Sequence, residues 1–255
     1  MITLYQFTVS QFCEKARWAL DHKGLVYHTE NWLPGVHRRK ALKLADSSQL
    51  PILRHGTQYI QGAANIINFL DKQYPTRMLT PDNADLKKQA MDWERSFDKS
   101  FGIHLRRFYY THMLQNPTQL RRMITFFGPW YSKNIYTLML PSIKNKLIQS
   151  MKLNALEAER SRLIINDALN KLDDHLSDHK YIVGEQFTRA DLAAASLLAP
   201  LCAPVQHPYY QGDVELISDL KELQDKSKQR PFYKWVSDIY RQHRWEVKSS
   251  DLYRL

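Results

Sequence analysis

Two cysteines, Cys13 and Cys202, are all the thiol chemistry that 255 residues contain. A disulfide framework and a zinc site built from four thiolates are thereby excluded. Glycine and proline are sparse, at eight and eleven residues, too few for a low-complexity or collagen-like chain. The longest uncharged stretch, Leu192 to Gly212, is broken by Pro200, Pro204 and Pro208 and cannot be one spanning helix. The first residues, Met1 to Phe7, lack the basic start and apolar core of a signal peptide and read as a strand. A soluble, reduced, cytoplasmic protein without a membrane partner is expected. Neither a Gly-rich phosphate loop nor an H-E-x-x-H motif occurs. The H-x-x-x-H pair, His175 and His179, falls at the polar end of a helical stretch, where the helix dipole alone accounts for it. No metal is expected.

What the chain has in excess is positive charge: 36 Lys and Arg against 26 Asp and Glu, a net charge of +10. Such a balance invites a nucleic-acid reading. Its distribution argues otherwise, because the basic runs are short (Arg38-Arg39-Lys40, Arg106-Arg107, Arg121-Arg122) and no RGG tract, zinc finger or RNP motif accompanies them. A solvated surface with a basic bias is the expectation, and nucleic acid is not the expected partner.

Periodicity divides the chain into two parts. Residues 2–7 are a short apolar, β-rich run, and Phe12, Ala16, Ala19 and Leu20 then recur at helical spacing up to a stop at Gly24. A second strand is expected at 25–31 and a loop with a short helix at 33–48. Leu50-Pro51-Ile52-Leu53, a turn at His55-Gly56 and Gln58-Tyr59-Ile60 form a hairpin. Ile66, Ile67, Phe69 and Leu70 mark the next helix. The order β-α-β, loop, β-β-α packs as a small mixed sheet with helices on its faces. After a polar linker, strand signals vanish. Helices are expected at 85–115, 118–148, 152–178, 188–200, 213–228 and 231–243, with Gly128-Pro129 breaking the second. The fold class is α+β followed by all-α. The domains are 1–76, a linker at 77–86, and a helical part at 87–255.

Three local motifs carry information. Thr188-Arg189-Ala190-Asp191 is a capping box flanked by Phe187 and Leu192 at the staple positions, a folding signal. Pro51 opens a strand, where a missing amide is tolerated; were Leu50–Pro51 cis, the Leu50 backbone would turn outward and could pair with an extended peptide. Ser10-Gln11-Phe12-Cys13 lies where the first strand meets the first helix, and amides at a helix N-terminus lower the pKa of a thiol placed there. That thiol is either Cys13, a possible redox group, or a ligand thiol held by the Ser10 hydroxyl. The bland alternative makes Ser10 an N-cap and Cys13 a small buried apolar residue.

Ser10-x-x-Cys13-x-Lys15-x-Arg17-Trp18-Ala19-Leu20-x-x-Lys23-Gly24-Leu25 resembles the opening of cytosolic glutathione transferases. Leu50-Pro51-Ile52-Leu53 resembles their cis-proline segment, and Ile66-x-x-Phe69-Leu70 the helix after their γ-glutamyl site. Phe187-Thr188-x-x-Asp191 resembles the capping box of their helical domain. Pro34-Gly35-x-His37 and Leu198-Ala199-Pro200-Leu201 resemble a bacterial branch with a serine or cysteine motif.

The resemblance implies a thioredoxin-like N-terminal domain, a helical C-terminal domain, a homodimer, and glutathione as co-substrate attacking a small electrophile. It makes Ser10 the catalytic residue, with Tyr5 a remote candidate, and Phe12, Leu50, Pro51, Gly62, Ala63 and Arg39 the glutathione-binding residues. Arg39 belongs to a basic loop (His37, Arg38, Arg39, Lys40, Lys43) suited to the glycyl carboxylate. Trp93, Phe97, Phe101, His104, Phe108 and Tyr109 form an aromatic stripe; such stripes are usually core, although one helix of that domain faces the acceptor cleft in the family. The sequence departs from the family at Gly62-Ala63, where an acidic residue or Gln followed by Ser is usual. That loss, with the charge, leaves a non-catalytic interaction module as the alternative.

Overall fold

The structure is a computed structural model that describes residues 1–35, 37–125, 132–207 and 218–244, with side chains left undescribed at 122–125, 132–136, 138–140 and 218–220. β1 (Ile2–Gln6), β2 (His28–Asn31), β3 (Ile52–His55) and β4 (Gln58–Gln61) form one sheet in the order β2-β1-β3-β4. β1 pairs with β2 in parallel, and β3 runs antiparallel to both β1 and β4. The parallel β1–α1–β2 crossover uses α1 (Gln11–His22), and the short α2 (His37–Ala41) follows β2. Tyr5, Trp32, Ala41 and Ile52 fill a separate apolar cluster. After the hairpin, α3 (Ala63–Gln73) closes a thioredoxin-like unit.

The rest is helical. The expected helix at 85–115 is split into α4 (Ala84–Phe97), a π-helical turn (Asp98–Ile103) and α5 (His104–Met113). Then come α6 (Pro117–Thr125), α7 (Ser132–Met151), α8 (Ala155–Leu176), α9 (Arg189–Cys202), α10 (Ser218–Ser227) and α11 (Pro231–His243). The break expected at Gly128-Pro129 lies outside the described residues. α9 continues through Pro200 to Cys202, two residues beyond the expected end.

Its start is the capping box: Thr188 caps the Ala190 amide, and Asp191 accepts from the Thr188 amide at 2.8 Å and hydroxyl at 2.9 Å, and from the Ile182 amide at 2.7 Å. Those donors leave no orphaned amide at a buried helix end. Half of the aromatic stripe is buried, Phe97, Phe101 and Phe108, and Trp93 and Tyr109 are partly buried against the same core. Among the described residues no helix is long and apolar enough to cross a membrane.

α1 joins the two parts. It is buried almost along its whole length, charges included. Lys15 Nζ meets Glu94 of α4 at 2.6 Å and Asp98 of the π-turn at 2.8 Å. Arg189 of α9 reaches the other oxygen of Glu94, and also Asn68 at 2.6 Å and the Ala64 carbonyl at 3.3 Å, both on α3. Glu14 lies between Arg17 at 2.8 Å and Arg244 at 2.8 Å, and Arg244 also grips Asp21. Lys23 ties the end of α1 to Asp71 at 2.7 Å and to the Tyr74 carbonyl at 2.8 Å.

These buried groups set the response to acid. Burial alone would raise the pKa of Glu14, but Arg244 and Arg17 outweigh it and hold the carboxyl at about 2, against an ordinary 4.5. Burial lowers His207 from 6.5 to about 3, and burial with the Lys23 charge lowers His22 from 6.5 to about 4. All three bind fewer protons folded than unfolded, so stability is lost as pH falls, the histidines from 6.5 downward and Glu14 from 4.5 downward. Asp191, raised by burial from 3.8 to about 6, acts in the opposite sense between those values and offsets part of the loss. The thermal midpoint followed by circular dichroism is therefore expected to fall continuously from pH 7 to pH 3, roughly the span of these pKa values. A midpoint that is flat or rising across that range contradicts the assignment.

Candidate functional site

β1 runs into Ser10, the N-cap of α1, whose extended backbone (φ −80°, ψ 126°) turns its side chain back on the helix. Ser10 Oγ accepts from the Cys13 amide at 3.4 Å, while the Ser10 amide donates to the Phe7 carbonyl at 3.0 Å. The Ser10 side chain also hydrogen-bonds the Cys13 thiol, an interaction that favours the thiolate but is outweighed by burial. A half-buried hydroxyl at a helix N-terminus suits an anion, since the dipole and an O–H donor act in the same direction.

Sheet register brings the next segment alongside. Tyr5 opposite Ile52 is the last β1–β3 pair, so Leu50–Pro51 lies at the end of the sheet where β1 leads into Ser10. The Leu50–Pro51 bond is cis, as the sequence reading allowed. The Gly62 amide donates to the Pro51 carbonyl at 3.0 Å, which places the start of α3 on the same rim.

No side chain caps α3, so its first amides are available to an anionic ligand. Gly62 has φ 90°, a conformation that strains any residue with a Cβ. Gln61, one position early for a ligand role, is engaged elsewhere. Its amide nitrogen donates to the carbonyls of Ser47 and Gln49, both at 2.7 Å, and its oxygen accepts from the Ser47 amide at 3.3 Å. It holds the loop that leads into Pro51. Ala63 is buried and carries no polar atom of its own beyond the backbone.

The other expected residues divide. Phe12, second in α1, points across to the helical part. A Cβ on Gly102 of the π-turn would come within 2.4 Å of its ring, so glycine is what lets the two parts close there. Arg39 is exposed on α2 with no ion pair among the described residues. Its neighbour His37 packs edge-on against Phe7 at 4.6 Å, which seats α2 beside the Ser10 loop. Tyr5 is buried in its own cluster.

Cys13 is fully buried, and its sulfur accepts from the Phe7 amide at 3.4 Å. Burial raises its pKa despite the nearby Arg17, the reverse of what a redox thiolate needs. Of the two sequence options at this helix start, the geometry leaves the open position to Ser10. His175 and His179 are spent locally: His175 Nε2 bonds the Ile182 carbonyl at 2.9 Å and His179 Nδ1 the His175 carbonyl at 2.9 Å. Among the described residues no cluster of His, Cys, Asp and Glu is placed to hold a metal ion. A separate cavity of about 720 Å³ lies between α5, α8 and α10, lined by Phe108, His112, Arg162 and Lys226 among others, and touches none of the rim residues.

A mixed four-stranded sheet with a cis proline facing the first helix start, docked on a helical unit, is the two-part architecture of thiol-binding transferases. Profiles of the glutathione S-transferase N-terminal domain and C-terminal domain match residues 4–78 and 134–242. Together they cover most of the chain, and it belongs to the glutathione S-transferase family. Glutathione S-transferase 1 of Dianthus caryophyllus is 33% identical over 94 residues, 36% of this chain. The match spans 42% of that relative's length.

Solved structures agree on the fold. A glutathione S-transferase of Methylobacterium radiotolerans, in complex with glutathione sulfonate, aligns over 91% of this chain and 92% of its own at 19% identity and TM-score 0.56. The beta-etherase LigF of a Sphingobium strain aligns over 93% and 98% at 16% identity and TM-score 0.63.

Both cysteines are buried, and burial raises both thiol pKa values. An aromatic disulfide reagent at neutral pH is therefore expected to leave the native protein unmodified and to titrate two thiols only after denaturation. Rapid native labelling of Cys13, located by peptide mass, contradicts this placement.

Proposed function

We propose that this protein is a glutathione transferase in which Ser10 stabilises the glutathione thiolate. The observation that carries the reading is the half-buried Ser10 hydroxyl at the N-terminus of α1 and on the rim formed by Leu50–Pro51 and the first turn of α3. In this reading the glutathione backbone lies along Leu50–Pro51, as an added strand does. Its γ-glutamyl carboxylate sits on the amides after Gly62-Ala63, Phe12 flanks the sulfur, and Arg39 answers the glycyl carboxylate. Residues 1–76 hold glutathione, 77–86 link, and 87–255 shape the electrophile site. The protein works as a cytoplasmic homodimer.

The chemistry follows from the thiol's protonation state. A thiol of ordinary pKa is mostly protonated at neutral pH. The Ser10 hydroxyl donates to the sulfur, and the α1 amides add a positive potential, so the thiol proton leaves to solvent. The thiolate then forms a carbon–sulfur bond to the electrophile, and the leaving group departs with its electron pair.

Replacing the hydroxyl removes a single donor to developing charge, a loss of about a hundredfold in kcat where such donors have been deleted. Ser10→Ala is accordingly expected to keep glutathione binding by calorimetry, raise the thiol pKa read from thiolate absorbance, and lower turnover of a chloronitrobenzene by about that factor. Turnover unaffected by Ser10→Ala rejects Ser10. Absence of binding at millimolar glutathione rejects the enzyme in favour of a non-catalytic interaction module.

The α3 start explains what affinity to expect. Gly62 cannot be replaced without strain, whereas Ala63 in the first turn can carry a hydroxyl toward the same carboxylate. A hydrogen bond to a charged group contributes about 1.5–3 kcal/mol. Ala63→Ser is therefore expected to tighten glutathione binding about tenfold or more in titration calorimetry. Unchanged affinity removes the α3 amides from the site.

A further inference from the structure

The cavity of about 720 Å³ between α5, α8 and α10 lies apart from the Ser10 rim and has a lining of its own character. Part of that lining is apolar: Phe108, Ala158 and Leu169 are buried, and Leu223 of α10 is partly buried against the same core. The Phe108 ring packs on the ring of His112, one turn further along α5, at 4.4 Å between centroids. A space of this size, with an aromatic and aliphatic lining, encloses a small organic molecule.

The polar part of the lining decides which kind. Its cations are already answered. Arg162 donates to both oxygens of Glu159, at 2.8 and 2.6 Å, and Lys226 pairs with Glu222. Arg230 reaches Asp173 at 2.7 Å and the Asn170 side-chain oxygen at 2.7 Å. Glu159 and Glu222 themselves line the cavity, so an anion that enters meets carboxylates beside the cations it seeks. The groups left over are neutral. Asn166 is half-buried, and its carboxamide makes no hydrogen bond among the described residues. It stands four residues before Asn170 on α8, so both amides lie on one helix face. A carboxamide offers an acceptor oxygen beside an N–H donor, and it is best satisfied by a ligand edge that offers the reverse pair.

We propose that this cavity is a binding site for an uncharged, planar aromatic ligand with a cyclic amide edge. The N–H and C=O of that edge pair with the Asn166 carboxamide, while the ring system lies against Phe108 and Leu223. Two-point pairing of this kind is how an asparagine reads the adjacent donor and acceptor of a nucleobase edge. A ring of the same shape that lacks the N–H leaves one of the two bonds unmade and binds more weakly. The site is separate from the proposed glutathione rim, and the inference does not depend on that reading.

The test titrates three probes of similar shape by calorimetry: quinolin-2-one, its N-methyl derivative and quinoline-2-carboxylate. Wild type is expected to bind quinolin-2-one about tenfold more tightly than the N-methyl compound, and the carboxylate most weakly. Asn166→Leu is expected to bind quinolin-2-one and its N-methyl derivative alike. Leu223→Trp, which fills the cavity, is expected to weaken both. Thermal midpoints by circular dichroism check that the variants are folded, and Asn166→Asp, which keeps the size but loses the N–H donors, takes the place of Asn166→Leu should that variant be unstable. No binding to wild type at millimolar probe, or a preference for the carboxylate, overturns the proposal. So does a preference for quinolin-2-one that survives loss of the Asn166 amide, or affinity that Leu223→Trp leaves unchanged.

Discussion

Burial of the charged helix α1 is the constraint on which the remaining structure depends. Glu14, Lys15, Arg17, Asp21 and Lys23 are all withdrawn from solvent, and each is answered by an opposite charge. Taking such groups out of water is costly, and the mutual attraction recovers the cost only with close geometry and further hydrogen bonds. Here the partners come from α3, α4, the π-turn and α11, and Glu94, one of them, also binds Arg189 of α9. The pairs that reach Glu94, Asp98 and Arg244 therefore exist only when the two parts of the chain are docked. Loss of one partner strands a buried charge, a penalty of about 3–5 kcal/mol. The network fixes the orientation of α1 and, through it, where the Ser10 hydroxyl stands.

The same network reaches the far side of the site. Arg189 follows the N-cap Thr188, bonds Glu94, and extends to Asn68 and the Ala64 carbonyl. A capping box in the helical part is thus coupled to the first turn of α3, where a ligand carboxylate is proposed to sit. Ser10 and the α3 amides stand on one rim because a single set of buried ions holds both helix starts. The basic excess of the chain divides accordingly. Some of its cations are internal fasteners and others, Arg39 and Arg106 among them, are exposed on the surface.

Much of this was legible in the residues. The β-α-β, β-β-α order and the capping box follow from local signals, because short apolar runs, turn residues and N-caps act over a few residues, while the cis bond at Pro51 was implied by the family resemblance. The long helix expected at 85–115 was misread at its middle, since Asp98 to Ile103 keep helical composition and the π-turn arises where Gly102 meets Phe12. Lys15 and Glu14 pair with Glu94, Asp98 and Arg244, far away in sequence, and no periodicity connects them. Gly62-Ala63 was recognised as a departure. That Gln61 serves the preceding loop instead became visible only with the Ser47 and Gln49 contacts. Arg106 and Arg107 read as one basic pair, whereas Arg107 is engaged by Glu157 and the Met151 carbonyl and Arg106 is exposed.

The central claim is that α1 presents Ser10 to a glutathione thiolate on the rim shared with Leu50–Pro51 and the α3 start. Its most direct test is a crystal structure of the complex with glutathione. The account predicts the sulfur within about 3.5 Å of Ser10 Oγ and the γ-glutamyl carboxylate on the amides after Gly62. A sulfur placed away from Ser10, or a peptide bound in the cavity between α5, α8 and α10, would contradict it.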